Sequence, residues 1–250
     1  SRPRLALVMA AGLLATACGG SGSPGGDNPP PPPPPPPAGV SKTEAFAFLN
    51  QATFGATEAE AQRLQSLGDA SNAYARWIDA QLQQPVSLQL PHVQAVYATL
   101  PQPVQNIGRL NNDRVDIWFR NVVNGPDQLR QRVAFALSEI MVVSQQSALQ
   151  NAPYALADYY DLLARDAFGD FRQLMEDVTL HPAMGVYLSM LGNQKPDAAR
   201  NIRPDENYAR EVQQLFSIGL LVRGPDFYTT YPDPGNPINL LNTYAEDDIS

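Results

Sequence analysis

Cysteine is almost missing from this chain. Of 250 residues only Cys18 carries a thiol. Internal disulfides, thiolate metal sites and redox pairs are excluded, so stability has to come from a buried core. Histidine is nearly as scarce, with His92 and His181 alone. A zinc site needs three or four converging ligands, so zinc is not expected. Cationic residues are also few. Seventeen Lys and Arg stand against 25 Asp and Glu, a net charge of -8. Nucleic-acid binding draws on a basic face that displaces counterions, so no nucleic-acid partner is expected. No apolar run reaches the roughly 20 residues that a membrane-spanning helix takes. A GxSxG elbow and a P-loop are missing too. No cofactor is implied by any motif. Asp247 and Asp248 are the one carboxylate pair worth weighing for calcium or magnesium, and two carboxylates alone do not define such a site.

The informative residues begin at the N-terminus. Arg2 and Arg4 precede the apolar run from Leu5 to Leu14, and Ala15-Thr16-Ala17 precede Cys18. A basic start, a short apolar stretch and small residues before a cleavage point form a secretory signal. A lone cysteine directly after them is the place of the lipidated cysteine in a bacterial lipoprotein. Thr16 and Ala17 suit the small-residue requirement; Ala15 stands where leucine is usual. Without lipidation, the same small residues would release a soluble, secreted protein. Acyl chains contribute about 0.8 kcal/mol per buried methylene, so multiple acylation anchors a protein stably. Gly19 rather than aspartate after the cysteine favours the outer membrane over the inner.

Gly19 to Gly26 is rich in Gly and Ser, and nine prolines run from Pro29 to Pro37. The first part reads as flexible coil and the second as a polyproline II rod. At about 3.1 Å per residue, nine prolines hold the folded domain about 28 Å from the anchor. Three segments result: a signal segment (1–17), a lipidated cysteine with a disordered Gly/Ser/Pro linker (18–40), and a folded domain (41–250). The chain starts at Ser1 and stops at Ser250 within an opening helix, so both ends read as truncated. Without Arg2 and Arg4 the balance becomes 15 against 25, or -10.

From Ser41 onward the apolar period is helical, and the predicted fold is all-α, an irregular multi-helix bundle. Ser41 with Glu44, and Thr57 with Glu60, have capping-box spacing. Helices are expected over about 42–52, 58–67 and 72–84, stopped by Gly68 and Pro85. Residues 85–103, punctuated by four prolines, read as an extended connection with at most one helical turn. A long helix spans about 104–123. The next, about 126–145, is apolar nearly all round after Val133 and is expected to be the buried centre. Further helices cover about 153–168, 170–180 (capped by Asp170), 182–191 and 204–221. Residues 224–242 read as loop, and no alternating strand pattern is seen.

Several motifs together resemble a known bacterial family. They are Leu49-Asn-Gln-Ala-Thr-Phe-Gly55, Gln131-Arg-Val-Ala-Phe-Ala-Leu-Ser-Glu-Ile140, His181-Pro-Ala-Met-Gly-Val-Tyr-Leu188, Pro204-Asp-Glu-Asn-Tyr-Ala-Arg-Glu-Val-Gln-Gln-Leu-Phe-Ser-Ile-Gly219 and Thr243-Tyr-Ala-Glu-Asp-Asp-Ile249. The chain resembles domain of unknown function 1800 over about residues 44–250. That resemblance implies an exported, mainly helical protein, with no established activity, cofactor or catalytic residue. Family members are longer, so it also implies a C-terminal part beyond Ser250. Asp205 stands where asparagine is common; either residue caps a helix.

The densest polar cluster is Glu206, Arg210 and Glu211. Glu206 and Arg210 lie four apart and can pair on one helix face. Such a pair is expected to be a buried structural lock; the competing reading is a polar site with His181 as base. Arg130, Arg132 and Glu139 are expected to form interior ion pairs, and Trp77 and Trp118 to be core. Three functions fit these residues. The first is a membrane-anchored binding or scaffold protein of the cell envelope, whose partner is another exported protein or a polymer. The second is a hydrolase-type enzyme on an envelope or extracellular polymer, with His181, Glu206, Arg210 and Glu211 as its site. The third is a purely structural envelope component.

Overall fold

Helix is the rule throughout the computed structural model, which describes residues 39–244. The signal segment, Cys18, residues 19–38 of the linker, and Asp247 and Asp248 lie outside these residues. Ten α-helices form among the described residues: α1 Lys42–Ala52, α2 Glu58–Ser66, α3 Ala73–Leu82, α4 Leu90–Thr99, α5 Ile107–Asn124, α6 Gln128–Ile140, α7 Pro153–Asp166, α8 Phe171–Leu180, α9 Pro182–Tyr187 and α10 Asn207–Glu211. The fold is all-α. None of the described helices is long and apolar enough to cross a membrane.

Local sequence rules start several helices. At α1 the Ser41 hydroxyl accepts from the Glu44 amide, and the Glu44 carboxylate accepts from the Ser41 amide at 2.9 Å, closing the capping box. Val40 precedes it, is buried, and shares a cluster with Ala45, so the box is reinforced by a hydrophobic staple. Thr57 caps α2 and Asp170 caps α8 through side-chain oxygens. The cap of α4 comes from elsewhere in the chain. Asp161 on α7 accepts from the Gln89 and Leu90 amides, each at 2.8 Å.

That long-range cap explains one correction. Residues 90–99 form a full helix, not an extended connection. Pro91 sits in its first turn, where a missing N–H costs nothing, so this proline helps to start a helix.

Three hydrophobic clusters hold the domain. One joins α1, α2 and α3 around Leu49, Leu64 and Trp77. A small one, Val93, Leu110 and Ala157, joins α4, α5 and α7. The largest contains Met141, Leu156, Tyr159, Leu163, Leu174, Val178, Met184 and Phe216. Helix α7 contributes to the last two and buries eight residues, Asp161 among them. The buried centre is therefore α7. On α6 only Gln131 and Ala134 are buried, and Ile140 is 47% exposed. An all-round apolar sequence shows which faces tolerate burial, not which one the neighbours cover.

Two further expectations change. The helix opened near Pro204 is short: α10 ends at Glu211 and a single π-turn, Val212–Phe216, succeeds it. Within 224–242 an antiparallel hairpin forms from β1 Pro232–Asp233 and β2 Asn236–Leu240, with a register shift between Pro232 and Asp233. A two-residue strand has no alternation to read, and Pro232 is tolerated because the strand is an edge.

Candidate functional site

The predicted polar residues fall into two settings. His181 joins α8 to α9 and is 7% exposed. Its Nδ1 accepts from the Ala183 amide at 3.1 Å, capping α9. In the neutral ring this bond uses the basic lone pair and puts the proton on Nε2. Nε2 lies 3.4 Å from Asp158 Oδ2, and the Tyr159 ring packs edge-on at 5.2 Å. Burial lowers the His181 pKa, outweighing the pull of Asp158. The charged groups acting on His181, Asp158 and Arg165, both belong to α7.

Glu206 and Arg210 form the ion pair their spacing predicts, Nη2 to Oε2 at 2.7 Å. It is not buried: the side chains are 41% and 34% exposed. The α10 segment is tied down by the hydrogen bond between the Tyr208 and Thr179 hydroxyls, 2.5 Å, and by the hydrophobic contacts of Val212 and Phe216. Glu211 keeps one carboxylate oxygen buried without a hydrogen-bond partner. Asp205 and Asn193 bond reciprocally through backbone and side chain, 2.8 and 2.9 Å, joining two loops beside α10.

Arg130, Arg132 and Glu139 form no ion pairs with described residues. Arg130 donates to the Ala164 carbonyl at 3.1 Å, at the end of α7, and lies over the Phe168 ring. Arg132 lies over the Phe54 and Phe135 rings. Guanidinium planes stack on aromatics readily, which spacing alone does not reveal. Glu139 is exposed.

Sequence reasoning missed the buried acidic network. Asp161 and Asp127 are both fully buried. Asp127 accepts from the Ser87 hydroxyl at 2.6 Å, the Ser87 amide at 2.9 Å and the Gln131 side chain at 3.0 Å. Gln131 also donates to the Ser87 carbonyl at 3.0 Å. Together these groups pin the connection between α3 and α4. Burial pushes the Asp161 carboxyl up to about 6, against its two backbone hydrogen bonds.

A cleft of about 400 Å³ lies among α2, α3 and the α5–α6 turn. Its charged residues Glu60 and Arg63 pair with each other at 3.0 Å, and Gln81 is engaged by the Pro126 carbonyl and the Leu129 amide. Two adjoining cavities between α5, α6 and α7 are different. They measure about 210 and 150 Å³ and share Arg114, Ser138 and Tyr160. Arg114 Nη2 donates to Gln145 Oε1 at 2.6 Å, but its Nε is buried without a partner. Arg114 forms no ion pair with a described residue, and burial lowers its pKa. The Tyr160 hydroxyl is buried, with the Trp118 indole as its hydrogen-bonding neighbour. Burial raises its pKa to about 12, slightly eased by the nearby Trp118 indole. Trp118 is thus half-buried at a cleft wall rather than core. A signal for this site did exist: Arg114 and Trp118 are four apart, on one face of α5.

The outer face of α5 carries Val115, Phe119 and Val123, 38%, 56% and 69% exposed. Their i, i+4, i+8 spacing makes one continuous stripe. Phe119 and Phe135 both pack on Trp118, so the stripe runs into the cleft wall. Among the described residues no group of three or more His, Cys, Asp and Glu is placed to hold a metal ion.

The motif resemblance extends along the whole domain. Residues 47–250 match the family model described as "Protein of unknown function (DUF1800)", and the chain belongs to this family. Neither the curated proteins nor the solved structures contain a match to it.

Proposed function

We propose that this DUF1800 protein is a binding module of the cell envelope, exported by its N-terminal signal and anchored through a lipid on Cys18. The partner is another exported protein, received on the α5 face. The observation that carries the binding reading is the apolar stripe Val115, Phe119 and Val123. Apolar side chains left in water at helical spacing are the usual mark of a partner surface. The signal motif and the nine-proline run support the anchored position, because a polyproline run of that length would set the domain off from a lipid on Cys18.

A hydrolase reading is less well supported by the geometry. A general base needs a free lone pair within reach of substrate. The His181 lone pair is given to the Ala183 amide inside the fold, and Glu206 is held by Arg210.

The test is site-specific photocrosslinking in intact cells. A photoreactive residue at Phe119 is expected to give a discrete higher-mass product. The same residue at Gln94, exposed on α4, should give none. No product from position 119, or equal products from both positions, contradicts the assignment of the face.

A further inference from the structure

We infer that the partner received on the α5 face is a second copy of this chain, docked across a two-fold axis at Phe119. The inference rests on reading the α5 stripe as a partner surface, and it names the occupant, which is itself exported under that reading. A two-fold interface uses the same patch on both copies, so the patch must complement itself. Val115 and Val123 stand four residues to either side of Phe119. Two antiparallel copies of α5 centred on Phe119 set ring against ring, and Val115 of each copy against Val123 of the other. The stripe is thus symmetric about its middle, with a valine at each end and an aromatic ring between. Val115 also borders the cavity of about 210 Å³ shared with Trp118 and Phe135, which gives Val123 of the second copy a recess to fill.

The charges beside the stripe obey the same symmetry. Asp116 and Arg120 are exposed, and neither side chain forms an ion pair or hydrogen bond with a described residue. Each follows a stripe residue by one position, so both stand on the same flank of the stripe. A two-fold axis perpendicular to the plane of the two helices brings this flank against its own copy. Asp116 of one copy and Arg120 of the other then lie two residues apart along the helix axes, about 3 Å at 1.5 Å per residue. A guanidinium spans that offset, and the symmetry forms the pair twice. A flank with one charge of each sign meets itself without repulsion, although the net charge of the chain is -8. A foreign partner would place no condition on the spacing of these two charges. One helix against one helix is at the small end of specific interfaces, so the dimer is reversible and depends on concentration.

The test is sedimentation equilibrium of the purified full chain over a concentration series, beside three variants. The wild type is expected to approach twice the chain mass. Phe119→Asp puts two like charges at the axis. It should weaken association at least about tenfold, while melting like the wild type because the ring is 56% exposed. Asp116→Arg leaves two cations on each flank and Arg120→Asp two anions, so each variant alone should associate severalfold more weakly. Mixed together, these two variants form both ion pairs again, and the mixture should regain the wild-type affinity. A wild type that stays monomeric, a dimer indifferent to all three substitutions, or a mixture no tighter than either variant alone overturns the inference. The crosslink at position 119 separates it from the reading it rests on. A product of twice the chain mass supports both. A product of another mass keeps the partner face and overturns the second copy. No product removes the face and the second copy with it.

Discussion

Asp161, on α7, closes the N-terminus of α4 by accepting from Gln89 and Leu90, 72 and 71 residues away, at 2.8 Å each. This contact ties the prolines of the 85–103 segment to the centre of the fold. In Asp161→Asn one of the two amides faces an N–H₂ group instead of an oxygen. The expected cost is about 1–3 kcal/mol, the range for a buried donor left unpaired. Chemical denaturation checks it. A change below about 0.5 kcal/mol would show that α4 does not depend on this cap.

Two buried groups pull the pH dependence in opposite directions. Asp161 is raised to about 6 in the fold, so its contribution is full below about 4, the ordinary carboxyl value, and is lost as pH rises through 6. His181 is lowered by burial from 6.5, so its contribution is present above that value and is lost as pH falls through the depressed one. His181→Asn keeps an acceptor for the Ala183 amide and removes the titration. The Tm advantage of wild type over this variant is expected to shrink from pH 7.5 to pH 5. A constant difference would remove His181 from the pH response.

Helix α7 is the hydrophobic centre. Leu163 is fully buried there, and Leu163→Ala is expected to cost about 2–5 kcal/mol. Phe135 on α6 lies at a cleft wall, so Phe135→Ala should cost less. The reverse order in denaturant midpoints would restore α6 as the centre.

The Glu206–Arg210 pair is partly exposed, so Glu206→Gln should change stability by no more than about 1 kcal/mol. A loss of about 3 kcal/mol or more would show a desolvated pair.

Local chemistry was legible in the sequence. The capping box at Ser41, the caps at Thr57 and Asp170, and the Glu206–Arg210 pair all depend on residues within four positions of each other. The all-α class and the family also came from pattern and motif. The features that were missed are non-local. The helix at 90–99 needs a carboxylate from α7, and proline counts pointed the other way. Burial of α7 rather than α6 depends on which neighbours cover each face. Arg114 and Tyr160 are distant in sequence and meet only across the packed α5 and α7. Trp118 read as core because an aromatic at helical spacing looks the same whether it faces the centre or a cleft.

The anchored state is the central functional claim, and the mature N-terminus tests it most directly. The protein is recovered from the membrane fraction of a lipoprotein-processing bacterium, and its N-terminal peptide is measured by mass spectrometry. The account predicts a chain beginning at Cys18 and carrying acyl groups, with Cys18→Ser moving the protein to the soluble fraction. An unmodified Cys18, or fractionation unchanged by Cys18→Ser, would contradict it.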